Sequence, residues 1–211
     1  MRMEHVTACY WQKETPAGLF LSLQQRWYRR RRVSVVSACI SDDEEQVRSL
    51  QNRMEEELEE ESIWRSFTEE ILREKWTDFL KLQKEDSSYA GILCVENRVL
   101  YFSRGRMRIC GVFRRFGRTQ WKTLGESCMV GEVEPGTALL VADNGFLNFN
   151  EEDLTACLQP KNMVRDNARE NAEWAARRLK ELGEKAERQG GKHMGAVWIL
   201  PVEGGGAWNR E

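Results

Sequence analysis

The feature that most constrains this chain is the abrupt change of hydrophobic period at Ser41. Residues 33–40 form an uncharged run rich in valine, with Cys39 and Ile40 at its end, and read as a buried strand. Directly after it, Ser41 stands three residues before Glu44, the spacing of a capping box at a helix start. Val47, Leu50, Met54 and Leu58 then recur at helical spacing, with glutamates on the opposite face. A second helical pattern covers residues 66–83, with Phe67, Ile71, Leu72, Phe79 and Leu80 as its apolar side. Two successive amphipathic helices form an antiparallel pair, and their apolar faces require a sheet to cover.

The rest of the chain supplies that sheet. Residues 7–11 and 18–23 read as strands, and the polar stretch 24–32 suits a hairpin connection to 33–40. After the helices, residues 89–95 and 99–102 flank Glu96-Asn97-Arg98, a short turn, and strands follow at 107–113, 121–124 and 138–141. Asn150 caps a short helix over 151–158, whose Glu151, Glu152 and Asp153 suit a positive N-terminal end. A long amphipathic helix over 164–189 stops at Gly190-Gly191, and 196–202 is a last strand. Strands in runs with helices segregated in pairs indicate an α+β sandwich and exclude a doubly wound parallel sheet. Residues 1–202 make a single domain, and 203–211, with Gly204-Gly205-Gly206, a flexible tail.

Composition narrows the function. A net charge of −2 over 211 residues argues against a dedicated nucleic-acid binder. The six cysteines are scattered, with no C-x-x-C or Cys/His ligand spacing, which points to reduced thiols and no structural zinc. Residues 1–11 have no secretory apolar core, and the longest uncharged apolar stretch falls far short of the ~20 residues that span a bilayer. The expected location is the cytoplasm, with no membrane partner. P-loop, G-x-G-x-x-G and G-x-S-x-G patterns are absent. His5 and His193 are the only histidines, and no nucleophile motif accompanies His193. Trp64, Trp76 and Trp174 read as packing residues of helices rather than a ligand cage.

The strongest motif lies in residues 131–154. An apolar strand leads into Ala142-Asp143-Asn144-Gly145, then the apolar pair Phe146-Leu147, then the acids Glu151, Glu152 and Asp153. This resembles the metal-dependent Ser/Thr protein phosphatases of the PPM (type 2C) family, where a strand leads to S-D-G, an apolar pair and an acidic helix. Residues 90–102 resemble the family's hairpin before its G-D-S-R turn, 33–41 the strand before its D-G, and His193 to Ile199 its last strand. The resemblance implies an α-β-β-α sandwich of two mainly antiparallel sheets flanked by helical pairs. It also implies a binuclear Mn²⁺ or Mg²⁺ centre that clamps phosphate and activates water, held by several aspartates.

The ligands of that centre are largely replaced. Lys13-Glu14-Thr15 stands at the family's first aspartate, and Ser41-Asp42 at its D-G, with the carboxylate displaced by one residue. His193-Met194 stands at D-N, and Gly105-Arg106-Met107-Arg108 at G-D-S-R, a base in place of an acid. Asp143 alone keeps its register. Asp143 and Asp42 are therefore the weak metal candidates, each with a competing role: Asp143 as a turn residue, Asp42 and Asp43 as acids at a helix start. The expectation is a catalytically inactive pseudophosphatase without a cofactor, binding a protein that is phosphorylated or acidic, in signalling of bacterial type. The alternative is a divergent active phosphatase using Mn²⁺ or Mg²⁺ on Asp143 with Asp42 or Asp43 and Glu14.

Two arginine groups are candidates for binding. Arg104, Arg106 and Arg108 alternate and would share one face of a strand, where they suit a phosphate or carboxylate. Arg26 with Arg29, Arg30, Arg31 and Arg32, beside Trp27 and Tyr28, is the densest basic patch. It supports a second alternative, a nucleic-acid-binding protein, or else an acidic partner such as the helix after Asp42.

Overall fold

In the computed structural model the described residues are 7–12, 18–28, 33–60, 69–95, 98–115, 118–124, 128–132, 137–147, 168–188 and 194–199. They form ten strands and three helices of at least thirteen residues. The strands are β1 (Thr7–Gln12), β2 (Phe20–Tyr28), β3 (Val33–Ser41), β4 (Tyr89–Val95) and β5 (Arg98–Arg104), then β6 (Met107–Arg115), β7 (Arg118–Leu124), β8 (Met129–Glu132), β9 (Ala138–Asp143) and β10 (Met194–Ile199). The helices, labelled in chain order, are α1 (Glu44–Glu59), α2 (Glu69–Lys81) and α3 (Ala168–Arg188).

The strands pair antiparallel into two sheets, a first of order β2-β3-β4-β5-β8 and a second of order β1-β10-β9-β6-β7. Strand alternation decides the layering. On β3, Val36, Ala38 and Ile40 face the gap between the sheets, where they join Ile92 of β4, Met107 and Ile109 of β6, and Leu139 and Val141 of β9. The other β3 face carries Val35 and Cys39 beneath Val47, Leu50, Met54 and Leu58 of α1 and Leu72 and Trp76 of α2. On β9 the outward residues Leu140 and Ala142 meet Leu179 and Leu182 of α3. The result is the expected α-β-β-α sandwich, with three apolar interfaces. Each fully buried Leu, Ile or Val side chain contributes about 1.5–3 kcal/mol to it.

The helix pair is fastened to its sheet by aromatic packing. Trp76, fully buried, stacks on Phe102 at 5.0 Å between centroids and meets Phe79 edge-on at 5.6 Å. Gly91 of β4 is required beneath this stack, because a Cβ there would lie 2.4 Å from Phe102 and 2.9 Å from Met54.

Several sequence expectations change. Asp43, not Ser41, caps α1: its carboxylate accepts from the amides of Glu45 and Gln46, while the Ser41 hydroxyl accepts from the Asp43 amide. Ile71 is 62% exposed, so the apolar side of α2 is Leu72 and Trp76, with Phe79 and Leu80 partly covered. The polar residues 24–28 continue β2 in register with β3 rather than forming a connection, since an edge strand is held by backbone pairing and leaves one side to solvent. The short edge strand β8 was not expected at all, and β10 begins at Met194, two residues early. The helix expected at 151–158, the Gly190-Gly191 stop and the tail 203–211 lie outside the described residues. No helix among the described residues is long and apolar enough to cross a membrane.

Candidate functional site

At one end of the sandwich the chain passes directly from one sheet to the other between β5 and β6. Register brings Ser41 opposite Tyr89, and Tyr89 opposite Arg104, at the ends of β3, β4 and β5. The chain then leaves the first sheet at Gly105-Arg106 and enters the second at Met107, which pairs with Asp143 at the end of β9. Gly105 has φ +67°, and an added Cβ would lie 2.5 Å from the Ser88 hydroxyl oxygen. The crossing therefore needs glycine both for its left-handed backbone and for its close approach to Ser88.

Asp42, Ser88, Arg106 and Asp143 are linked around this crossing. The Ser88 amide donates to Asp42 Oδ1 at 3.1 Å, and the Asp42 amide donates back to the Ser88 carbonyl at 3.3 Å. The Ser41 hydroxyl donates to the same carbonyl at 3.0 Å. Asp42 Oδ2 faces the Arg106 guanidinium, with Nε at 3.7 Å. The Arg106 carbonyl accepts from the Asn144 amide at 2.9 Å, joining the crossing to the turn after β9. Asp143, almost fully buried, accepts from the Phe146 amide at 3.0 Å and the Gly145 amide at 3.3 Å. It thereby caps the helical turn at 144–147. Asp43 is turned away, toward α1 and Lys84 Nζ at 2.7 Å, and that ammonium with the cap amides holds its carboxyl below the usual range.

These groups can be tested as a metal centre. A hard divalent cation takes about six oxygen ligands, supplied in large part by carboxylates. At the crossing, one oxygen of Asp42 takes a backbone amide and the other faces a guanidinium. Both oxygens of Asp143 accept amides. Among the described residues no group of three or more Asp, Glu, His or Cys side chains converges. The residues present here do not fit a binuclear ion pair, and a cationic side chain stands against one of the two candidate ligands. Glu14 and His193 lie outside the described residues.

The arginines are not arranged as the sequence suggests. Arg104, Arg106 and Arg108 do not share a strand face, because the crossing at Gly105-Arg106 breaks the strand between the first and the last. Arg104 acts electrostatically on the Tyr89 phenol, Arg106 meets Asp42, and Arg108 donates to the carbonyls of Gly105 and Met107. In the basic patch, Arg26 reaches α1 and pairs with Glu55 at 2.9 Å, the intramolecular acidic contact considered above. Arg29, Arg30, Arg31 and Arg32 lie outside the described residues. Ser88 is the site residue that sequence reasoning missed. Its role comes from contacts to residues 42 and 105, and no local pattern announces it.

Neither a family model nor a curated protein matches the sequence. Solved structures do match in shape. The phosphatase domain of SpoIIE from Bacillus subtilis superposes with a TM-score of 0.56 at 13% identity, over 98% of this chain and 95% of that one. The Mycobacterium tuberculosis Ser/Thr phosphatase PstP superposes with a TM-score of 0.55 at 11% identity, over 94% and 99%. The catalytic domain of PstP with two manganese ions gives 0.52, again at 11% identity and over 94% and 98%. The likeness extends over nearly the whole chain while the motifs have diverged: this protein has the fold of the PPM-type Ser/Thr phosphatases.

Proposed function

We propose that this chain is a pseudophosphatase, a PPM-fold module that binds a protein partner in signalling and does not hydrolyse phosphate esters. The observation that carries the reading is the Arg106 guanidinium facing Asp42 at 3.7 Å, on the turn that joins the two sheets. In the PPM resemblance this turn carries an acid. Here a tethered cation stands beside a carboxylate that would otherwise face a metal, and the nearby Asp143 is engaged as a helix cap. Without an ion to acidify water, the slow hydrolysis of a phosphate monoester has no activated nucleophile. Among the described residues Cys39, Cys94, Cys110 and Cys128 are buried free thiols, which accords with a reducing cytoplasm.

The test is turnover of p-nitrophenyl phosphate and of a phosphopeptide with Mn²⁺ or Mg²⁺, beside calorimetric titration of either ion. The expected result is no saturable metal binding and no turnover above background. Robust metal-dependent turnover that disappears in Asp143→Ala would establish the second reading, a divergent active phosphatase. That reading draws on one observation: Asp42 and Asp143 do reach the same end of the sandwich through Arg106.

A further inference from the structure

A groove of about 510 Å³ opens on the helix-covered side of the first sheet, between α2 and the ends of β4, β5 and β8. Its walls carry Arg73 and Lys81 from α2 and Arg104 from β5, and no carboxylate lines it among the described residues. Lys81 is paired with Asp78 at 2.8 Å. Arg73 and Arg104 have no carboxylate partner among the described residues. Arg73 acts on the Cys128 thiol electrostatically, and Arg104 acts likewise on the Tyr89 phenol. Hydroxyls of Thr77 and Ser103 line the same space.

We propose that this groove binds a phosphate monoester carried on a peptide, with Arg73 and Arg104 as the anchoring cations. Two guanidiniums with no competing acid among the described residues offer forked, charge-assisted donors suited to the tetrahedral dianion. Tyr89, which lines the groove beside Arg104, brings a neutral phenol and no competing charge. Burial pushes the Cys128 thiol up to about 12 despite Arg73 and Thr77, so no thiolate repels the anion.

The argument for a peptide, and against a free phosphate, rests on size and edge. The groove is far larger than one phosphate group and has apolar surface from Leu80 and Met129 beside the cations. Met129 also begins β8, the edge strand of its sheet, so an extended segment in the groove has backbone groups beside it to pair with. The site lies on the opposite side of the first sheet from the inter-sheet core. It stands whether or not the crossing at Arg106 retains any hydrolysis.

The test uses the full chain and calorimetric titration of three probes. These are a five-residue peptide with a central phosphoserine, its unphosphorylated twin, and inorganic phosphate. The expected order is saturable binding of the phosphopeptide, weaker binding of phosphate, and none of the twin. Arg73→Ala with Arg104→Ala lowers phosphopeptide affinity at least about tenfold, whereas Arg106→Ala leaves it unchanged. Arg73→Glu, at an exposed helix position, gives the same loss should the Arg104 variant fold poorly. Unchanged binding in the arginine variants, or loss in Arg106→Ala, overturns the assignment. So does absence of saturable binding, or phosphate binding as tightly as the phosphopeptide.

Discussion

Replacing Gly105 by alanine tests the geometry of the crossing most directly. The residue sits at φ +67°, and placing an L side chain in that region costs about 1–2 kcal/mol. The new methyl also arrives 2.5 Å from Ser88 Oγ, 3.0 Å from its Cβ and 3.2 Å from its backbone Cα. Ser88 cannot retreat freely, since its amide is bonded to Asp42 and its carbonyl accepts from Ser41 and Asp42. Forcing a methyl into such a contact costs about 1–3 kcal/mol more. The sum, about 2–5 kcal/mol, corresponds to a melting point lower by roughly 4–20 °C for a chain of this size. The assay is urea and thermal denaturation followed by circular dichroism, repeated in a Ser88→Gly background. That second change removes Oγ and Cβ while leaving the backbone strain, so the steric part of the loss is recovered and the φ part is not. A cost below about 0.5 kcal/mol, or no recovery in the Ser88→Gly background, would refute the clamped crossing.

Three further outcomes follow from the same structure. Trp76→Ala lowers stability by about 3–5 kcal/mol, and Trp76→Phe by distinctly less, because phenylalanine keeps the stack on Phe102 and removes a buried indole N–H that has no acceptor; equal losses in equilibrium unfolding would contradict this packing. Asp43→Ala lowers stability by about 1 kcal/mol at pH 7 through loss of the α1 cap. Since the folded-state pKa of Asp43 is depressed, its contribution is present above the unfolded value of about 3.9 and fades as pH falls through the folded one, so the mutant and parent curves converge in acid. Glu57 shows the opposite sign. Burial raises its pKa despite Arg53 and Lys75, so its ionised form is unfavourable in the folded state above that raised value, and the penalty is relieved on descending toward the unfolded value of about 4.3. Glu57→Gln flattens that part of the stability profile, and an unchanged pH dependence would contradict the assignment.

Much of the layering was legible because it follows from alternation and period. Val35, Val36, Ala38, Cys39 and Ile40 had to divide between two apolar faces, and Val47, Leu50, Met54 and Leu58 had to cover one of them. Local periodicity carries that information without knowledge of the rest of the chain. The extension of β2 through Arg26 was not legible, since its residues are polar and only the partner strand makes them extended. The α1 cap was displaced by two residues because Ser41 and Asp43 both fit the local rule, and contact with Ser88 decided between them. The site shows the same division. Asp143 could be found from its motif, and its carboxylate does end β9 at the crossing. The separate fates of Arg104, Arg106 and Arg108 could not, because a two-residue crossing between sheets looks in sequence like the middle of an alternating strand.

The guanidinium that faces Asp42 is attached to the backbone of the crossing itself. A dissolved ion stabilises a fold by mass action, through a term that grows with its concentration and vanishes when a chelator removes it. A charge supplied by the chain has a fixed local concentration and no dissociation into bulk solvent. On the pseudophosphatase reading, the end of this sandwich keeps its shape independently of the metal supply around it. Thermal unfolding with and without EDTA checks this, with an unchanged melting temperature as the expected outcome.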